Sequence, residues 1–515
     1  LNMPGTTGLL LLLLAAAGLH HSDAEGCVQR TFGHESFVCV CDGTQCDTVA
    51  EVKDPEPGTY TVYTSSRDEY RLEPGTGNIE DAGINANVVT VSTANQYQAM
   101  IGFGGAFTDS AGINLNKLSD EARNFAIRSY FAPEGIEYNI GRIPIAGSDC
   151  STRPYSYDDT ENDIELKYWA LEPEDINDKI PNIASAIQVS SNEIYFFGSP
   201  WAPPAWMKTN GMFNGSGTLL PEMWQPFSEY IVKFVEAYEA AGIPIWGLTP
   251  QNEPLSGFSD WAWNTCGWDA EGMRDWIKTN LGPTLEAAGM RRIMMIVDDF
   301  NRDTLPDYII PMLEDPESNK YIDGVAVHWY ADFNVDVGPE ALDAAHDVDP
   351  SKFILYTESC EGWDVTGDDS VMLGSWSRGE NYLRNILEDI NHWSSGWVDW
   401  NIALDMTGGP NWANNMLDSP IIVNEVDDEF YKQPTFYAMG HVSKFIKRDG
   451  LRVDASSSAA TVETAAVQNP DGTVVVVVIN TDDNVSDVTI SVDGTRFINV
   501  QMPAKSFQTF LVPAA

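Results

Sequence analysis

The sequence predicts an α/β protein built on a (β/α)8 barrel, with a β-domain assembled from both ends of the chain. Two observations carry this. Across the middle, eight short apolar runs at 101–107, 138–145, 194–198, 245–249, 293–298, 323–329, 353–357 and 398–404 alternate with helix candidates that include 119–131, 224–241, 270–288 and 380–392. Eight strands with intervening helices over about 300 residues match the count and size of such a barrel. On either side, β-branched segments at 59–64 and 88–92, then at 473–480, 485–492 and 506–512, sit between turn signals such as Asp471-Gly472 and Asp493-Gly494. Neither set alone makes a sandwich; together they do.

A doubly wound parallel sheet fits the same periodicity. However, no Gly-x-Gly-x-x-Gly or Walker sequence follows any of the runs. Gly102-Phe103-Gly104-Gly105 falls within a strand, where glycine permits close packing, and it lacks phosphate-loop spacing.

Composition narrows the function classes. The 515 residues carry 76 Asp and Glu against 29 Lys and Arg, a net charge of −47 spread along the chain. Such a field repels phosphate backbones and anionic bilayers, so nucleic acid is not expected as a partner. The self-repulsion would be relieved by salt or acid. A 43% hydrophobic content with 16 Trp is enough for one large core and at least one smaller one.

Residues 9–17 form an unbroken apolar stretch followed by Ser22 and Ala24, too short to span a bilayer and of signal-peptide dimensions. Residues 1–24 are therefore expected to be a signal peptide. No later stretch has the length of a transmembrane span. In an exported protein the crowded Cys27, Cys39, Cys41 and Cys46 read as two disulfides, since Cys39 and Cys41 are too close for a zinc-ribbon knuckle. Cys150, Cys266 and Cys360 are left over. Asn214-Gly-Ser216 and Asn484-Val-Ser486 are glycosylation acceptor sequences.

In a barrel the C-terminal strand ends converge on one site. The polar and aromatic residues that end the eight runs are Asp109; Arg142; Trp201; Asn252 and Glu253; Asp298 and Asp299; His328 and Tyr330; Glu358; and Trp400 with Asn401. Glu253 and Glu358, at the ends of runs four and seven, form the carboxyl pair that glycoside hydrolysis requires: one protonates the leaving oxygen, the other attacks the anomeric carbon or activates water. Their spacing in space separates retention from inversion. Trp201, Trp246, Trp261, Trp263, Trp329, Tyr330 and Trp400 offer flat faces for a sugar ring near the same strand ends. Asp298-Asp299 with His328 could hold a cation or serve as hydrogen-bonding groups. With seven His and no His-Glu-x-x-His, no metal site is expected, and nothing indicates a cofactor.

The chain resembles glycoside hydrolase family 30, and within it the acid β-glucosidase (glucosylceramidase) branch, almost from end to end. The likeness is carried by the four-cysteine leader, Gly104-Gly-Ala-Phe-Thr-Asp109, Tyr138-Asn-Ile-Gly-Arg142, Ser199-Pro-Trp201, Trp206-Met-Lys-Thr-Asn-Gly211 and Gln251-Asn-Glu-Pro254. It continues through His328-Trp-Tyr330, Thr357-Glu-Ser-Cys360, Asp399-Trp-Asn-Ile-Ala-Leu404, Gly408-Gly-Pro-Asn-Trp412 and Phe430-Tyr-Lys-Gln-Pro434.

The resemblance implies a retaining double displacement on glucosylceramide, with Glu253 as acid/base and Glu358 as nucleophile. It places Arg142, His328 and Tyr330 around the nucleophile and Asn252 on the sugar 2-OH, and makes Asp109, Trp201 and Trp400 glucose-binding; Asp298 and Trp329 join that substrate-facing set. It further implies an immunoglobulin-like sandwich of 57–98 with 448–515, a small three-stranded disulfide-rich antiparallel sheet of 25–56 with 405–432, and a catalytic TIM barrel of 99–404 with 433–447. A saposin-like activator, peripheral membrane contact and a lysosomal destination belong to the same expectation, with an extracellular destination as the alternative. The −47 charge departs from it, because little basic surface remains for anionic lipid. Phe258, Trp261 and Trp263 could insert into a bilayer, grip an acyl chain or pack together. A soluble or polysaccharide β-glycoside, or a non-catalytic binding role, are the rival readings.

Overall fold

The computed structural model describes residues 26–53, 55–363 and 369–514. The expected signal peptide lies outside them. Among the described residues no helix is long and apolar enough to cross a membrane.

Eight parallel strands close into a barrel: β1 (Gly102–Ala106), β2 (Ile140–Ile145), β3 (Tyr195–Pro200), β4 (Ile245–Leu248), β5 (Met294–Asn301), β6 (Gly324–His328), β7 (Phe353–Glu358) and β8 (Ser394–Asp399). Closure is made by β8 pairing with β1, Gly396 opposite Gly102 through Asp399 opposite Gly105. A Cβ on Gly104 would strike the Ile140 carbonyl at 1.9 Å, so the glycines of β1 are there for close strand approach. Ile140, Phe197, Ile296, Ala326, Leu355 and Val398, one from each of six strands, fill the interior.

Two expectations shift. The eighth strand spans Ser394–Asp399 rather than 398–404. Of the run 398–404 only Val398 and Asp399 pair in the barrel; the rest is apolar because it leaves through a buried connection. The single helix expected over 270–288 is broken into Ala270–Trp276, a wide π-type turn over Ile277–Leu281, and Gly282–Ala287. Pro283 has no N–H to donate, and the ladder widens just ahead of it.

The sandwich is a nine-stranded sheet in the order Arg496–Met502, Ser486–Val492, Asn87–Ala99, Leu451–Ser457, Val462–Gln468, Val474–Asn480, Ser506–Val512, Thr59–Ser66 and Glu73–Asn78. Strand Val474–Asn480 reads as continuously apolar because it is buried on both faces. Val474, Val476 and Val478 enter the sandwich core, while Val475, Val477 and Ile479 join the core shared with the barrel. At that seam Trp376, on helix Trp376–Asn391, stacks on Phe507 with centroids 4.3 Å apart.

The small sheet has five strands, not three: Gln29–Thr31, Phe37–Asp42, Glu429–Lys432, Ile421–Asn424 and Leu404–Asp405. The two edge strands, of three and two residues, are too short to show a period of two in the sequence. Disulfides join Cys27 to Cys39 and Cys41 to Cys46, and Cys150, Cys266 and Cys360 are free and buried. Asn484 lies exposed in a turn, whereas Asn214 is half-buried and its amide donates to the Ala262 carbonyl at 3.2 Å.

Candidate active site

The C-terminal ends of the strands open on a cavity of about 350 Å³, with Asp149, Trp201, Asn252, Glu253, Glu358 and Trp400 among its lining residues. An oxygen of Glu253 and one of Glu358 lie within 4.8 Å of each other, with a ring nitrogen of His328 in the same group.

Arg142, wholly buried in the middle of β2, holds this group together. It donates to Glu358 Oε2, to Asn252 Oδ1 at 2.8 Å and to Asp299 Oδ2 at 2.8 Å. Because Oδ1 of Asn252 is taken by the guanidinium, its amide NH2 is the end left for the cavity. Tyr330 donates its hydroxyl to Glu358 Oε1 at 2.8 Å. The nucleophile candidate thus receives one cationic and one neutral donor, one on each oxygen.

His328 stands between acids. Its Nδ1 is 3.2 Å from Glu253 Oε1 and its Nε2 is 3.1 Å from Asp299 Oδ1. Burial opposes the imidazolium, but Glu358, Asp299 and Glu253 together outweigh it and raise its pKa to about 10. Asp299 is held well below the carboxylate range: burial opposes ionisation, and Arg142 and His328 overcome it. Thr249 and Thr357 each donate to Asp299 at 2.7 Å.

Glu358 is displaced upward, chiefly by burial and further by the Glu253 charge, while His328 and Arg142 pull it down. Two cations, Arg142 and His328, therefore face three carboxyls, those of Asp299, Glu253 and Glu358. Glu253 has the weaker anion support, from His328 and from the Ser256 hydroxyl 3.0 Å from Oε2.

Strained backbone coincides with these groups. Glu253, Asp298 and Asp299 have φ of +46°, +80° and +56°, in the left-handed region unfavourable to side chains with a Cβ. The Glu253 N–H donates to the Asp299 carbonyl at 3.0 Å, which ties the two strained segments to one another.

The model of the glycosyl hydrolase family 30 TIM-barrel domain matches residues 100–446, and that of the family 30 β-sandwich domain matches 450–510. The chain belongs to glycosyl hydrolase family 30. The family 30 barrel makes it a glycoside hydrolase. It is 40% identical over 495 residues to the lysosomal acid glucosylceramidase of Mus musculus, covering 95% of this chain and 96% of that protein. It is 44% identical over 427 residues to putative glucosylceramidase 3 of Caenorhabditis elegans, covering 81% of each. A solved endo-β1,6-glucanase superimposes with a TM-score of 0.79 at 28% identity, covering 89% of this chain and all of the other.

Within this family 30 site, three expected sugar-facing residues are placed elsewhere. Asp109 is buried away from the cavity, bound to Lys179, Ser151 and Tyr155. Trp329 is fully buried and packs edge-on against Tyr382 and Trp397. The Trp329 indole N–H donates to the Cys360 carbonyl at 3.1 Å, away from the cavity that Tyr330 lines. Asp298 faces Thr304, and burial pushes its pKa to about 8. The bulge between Asp298 and Phe300 turns Asp299, not Asp298, toward Arg142. Consequently Asp298, Asp299 and His328 do not form a cation site. Glu253, His328 and Glu358 are close enough to share an ion, but both ring nitrogens of His328 are already committed to carboxyls.

Trp201 and Trp400 line the cavity and stack at 4.9 Å, with the Arg142 guanidinium 4.8 Å from the Trp201 ring. Trp261 and Trp263 stack at 4.5 Å on its rim. Trp246 instead stacks on Tyr195 at the start of its strand, the opposite end of the barrel. Sequence reasoning missed Asp149 and Asn415. Both line the cavity, and Asp149 Oδ2 accepts from Asn411 at 3.1 Å and Asn415 at 3.0 Å. Asp149 lies in the connection after β2, beyond the strand end where a search for chemistry looks. Asn415 lies just past the Gly408-to-Trp412 motif.

Proposed function

We propose that this family 30 enzyme hydrolyses the β-glucosidic bond of glucosylceramide, with retention, to glucose and ceramide. The observation that carries the reading is that one carboxylate oxygen of Glu253 lies within 4.8 Å of one of Glu358. Retaining enzymes hold the pair at about 5 Å, and inverting ones leave several ångströms more for a water.

Glu358 is the nucleophile, its anion supported by Arg142 and Tyr330. Glu253, as general acid, gives a proton to the glucosidic oxygen as Glu358 attacks the anomeric carbon, forming the glucosyl ester. Glu253 then takes a proton from water, which attacks that carbon and frees Glu358. Asn252 donates to the sugar 2-OH. Trp201 and Trp400 wall the cavity beside the ring, and Asp149 and Asn415 bond its hydroxyls.

The lipid aglycone is supported by the names of the two curated relatives and by the apolar rim of Leu255, Trp261, Trp263 and Trp363. A lysosomal site of action, reached through the secretory pathway, and help from a saposin-like activator follow from the same likeness; release from the cell is the alternative destination. The similarity to an endo-β1,6-glucanase supports a second reading, a soluble β-glucan as substrate.

One experiment separates them. Purified protein is incubated in mildly acidic buffer with short-chain glucosylceramide or with a β-1,6-glucan, and the anomer of the released sugar is followed before mutarotation. β-Glucose from the lipid supports the proposal. α-Glucose overturns the mechanism, and activity confined to the glucan overturns the substrate.

A further inference from the structure

Asp109 was expected to touch sugar, yet its carboxyl is spent on the chain that carries Asp149. Oδ2 accepts from Ser151 at 2.6 Å and from Tyr155 at 3.0 Å, and Oδ1 lies 3.3 Å from the Lys179 ammonium. Lys179 has no exposed side-chain surface. It also reaches Asp175 at 2.9 Å and the carbonyls of Pro144 and Ala146 at 3.3 Å each. Those two carbonyls close the end of β2 and begin the loop leading to Asp149, at a residue, Ala146, held at φ +66°. A buried ammonium needs such partners, so the loop and the ion group are ordered together.

The same helix, Asp109–Lys117, grips this loop with its backbone and the opposite wall with its side chains. The Ser110 N–H donates to the Cys150 carbonyl at 3.0 Å. Ser110 Oγ donates to the Pro410 carbonyl, and Asn114 donates to the Gly409 carbonyl at 2.8 Å. The segment after Pro410 supplies Asn411 and Asn415, the two amides that hold Asp149. Ser151 also receives the Ser148 N–H at 3.1 Å, so its hydroxyl joins Asp109 to the turn in which Asp149 sits.

We propose that Asp109 and Ser151, with Lys179 behind them, are positioning residues that set the Asp149 carboxylate against Asn411 and Asn415 and thereby determine how tightly the glucosyl ring is held. None of the three touches substrate. The inference rests on the reading of Asp149 as a sugar ligand made above.

The test uses the full-length protein with an aryl β-glucoside, together with amide hydrogen exchange over 146–151. Ser151→Ala leaves the Lys179 ion pairs in place. It is expected to raise KM about tenfold with kcat within about twofold, to speed exchange in that loop, and to leave the melting temperature nearly unchanged. Asp109→Ala is expected to raise KM and speed exchange in the same way but at a lower melting temperature, since it also strips Lys179 and Tyr155 of a partner. The double variant is expected to raise KM no more than the worse single one, because the Ser151–Asp109 hydrogen bond is then removed twice. Should Asp109→Ala fail to fold, Ser151→Ala decides alone. Unchanged KM and exchange in folded Ser151→Ala, or additive losses in the double variant, would overturn the proposal. If the wild-type protein cleaves no β-glucoside, the proposed function falls, while the exchange comparison still tests the brace.

Discussion

Glu253 and Glu358, about 100 residues apart in the chain, bring carboxyl oxygens within 4.8 Å of one another. Neither lies alone: Arg142 and Tyr330 hold one, His328 and Ser256 the other. The proposal of nucleophile for Glu358 and acid/base for Glu253 rests on these different surroundings.

If so, the two variants fail differently. Glu358→Gly should lose at least roughly 10³-fold in kcat and be rescued by azide with α-glucosyl azide as product, azide taking the vacated side of the ring. Glu253→Ala should retain ester formation from a substrate with a good leaving group and yield β-glucosyl azide. Product stereochemistry by NMR checks both, and identical products from the two variants would refute the assignment.

The buried histidine makes stability depend on pH in a stated direction. With a folded pKa near 10 against an unfolded 6.5, His328 contributes fully below pH 6.5, and that contribution is lost as pH rises toward 10. Asp298 adds to the trend: displaced from 3.8 to about 8, it imposes a penalty that grows as pH rises from 3.8 to 8. Asp298→Asn, which keeps an acceptor for Thr304, should match wild type near pH 4 and exceed it in melting temperature at pH 8. Parallel melting curves at both pH values would disprove it.

Trp329 and Trp201 should part company despite their similar sequence setting. Trp329→Ala removes a buried ring from a cluster of aromatics and should cost about 3–5 kcal/mol of stability. The more conservative Trp329→Phe should leave KM alone. Trp201→Phe removes part of the cavity wall and should raise KM with a smaller loss of stability. Urea unfolding and steady-state kinetics on the same four proteins, wild type included, test the contrast.

The net charge of −47 should show itself in salt dependence. Raising ionic strength from about 0.05 to 1 M shortens the screening length to about 3 Å, and the melting temperature should rise. Binding to anionic vesicles at low salt should be weak; a Kd tighter there than for zwitterionic vesicles of equal curvature would contradict the charge argument.

Much of this was legible in one dimension. Apolar runs of strand length recurring between helices specify a parallel α/β fold, because each strand is buried on both faces, and their number, eight, with no phosphate-loop sequence after any of them, favours the barrel over a doubly wound sheet. The polar residues ending those runs are brought to one mouth by closure alone, so Glu253, Glu358, Arg142, His328 and Tyr330 could be found without coordinates. What only the tertiary structure decided is which neighbour faces the cavity where regular alternation breaks, and which connections reach it. A bulge and two positive φ angles exchange Asp299 for Asp298. A helix turns Asp109 inward while two loops carry in Asp149 and Asn415. The reason is physical: strand periodicity is a local constraint that sequence records, whereas loop trajectories are selected by long-range hydrogen bonds and ion pairs whose partners lie elsewhere in the chain.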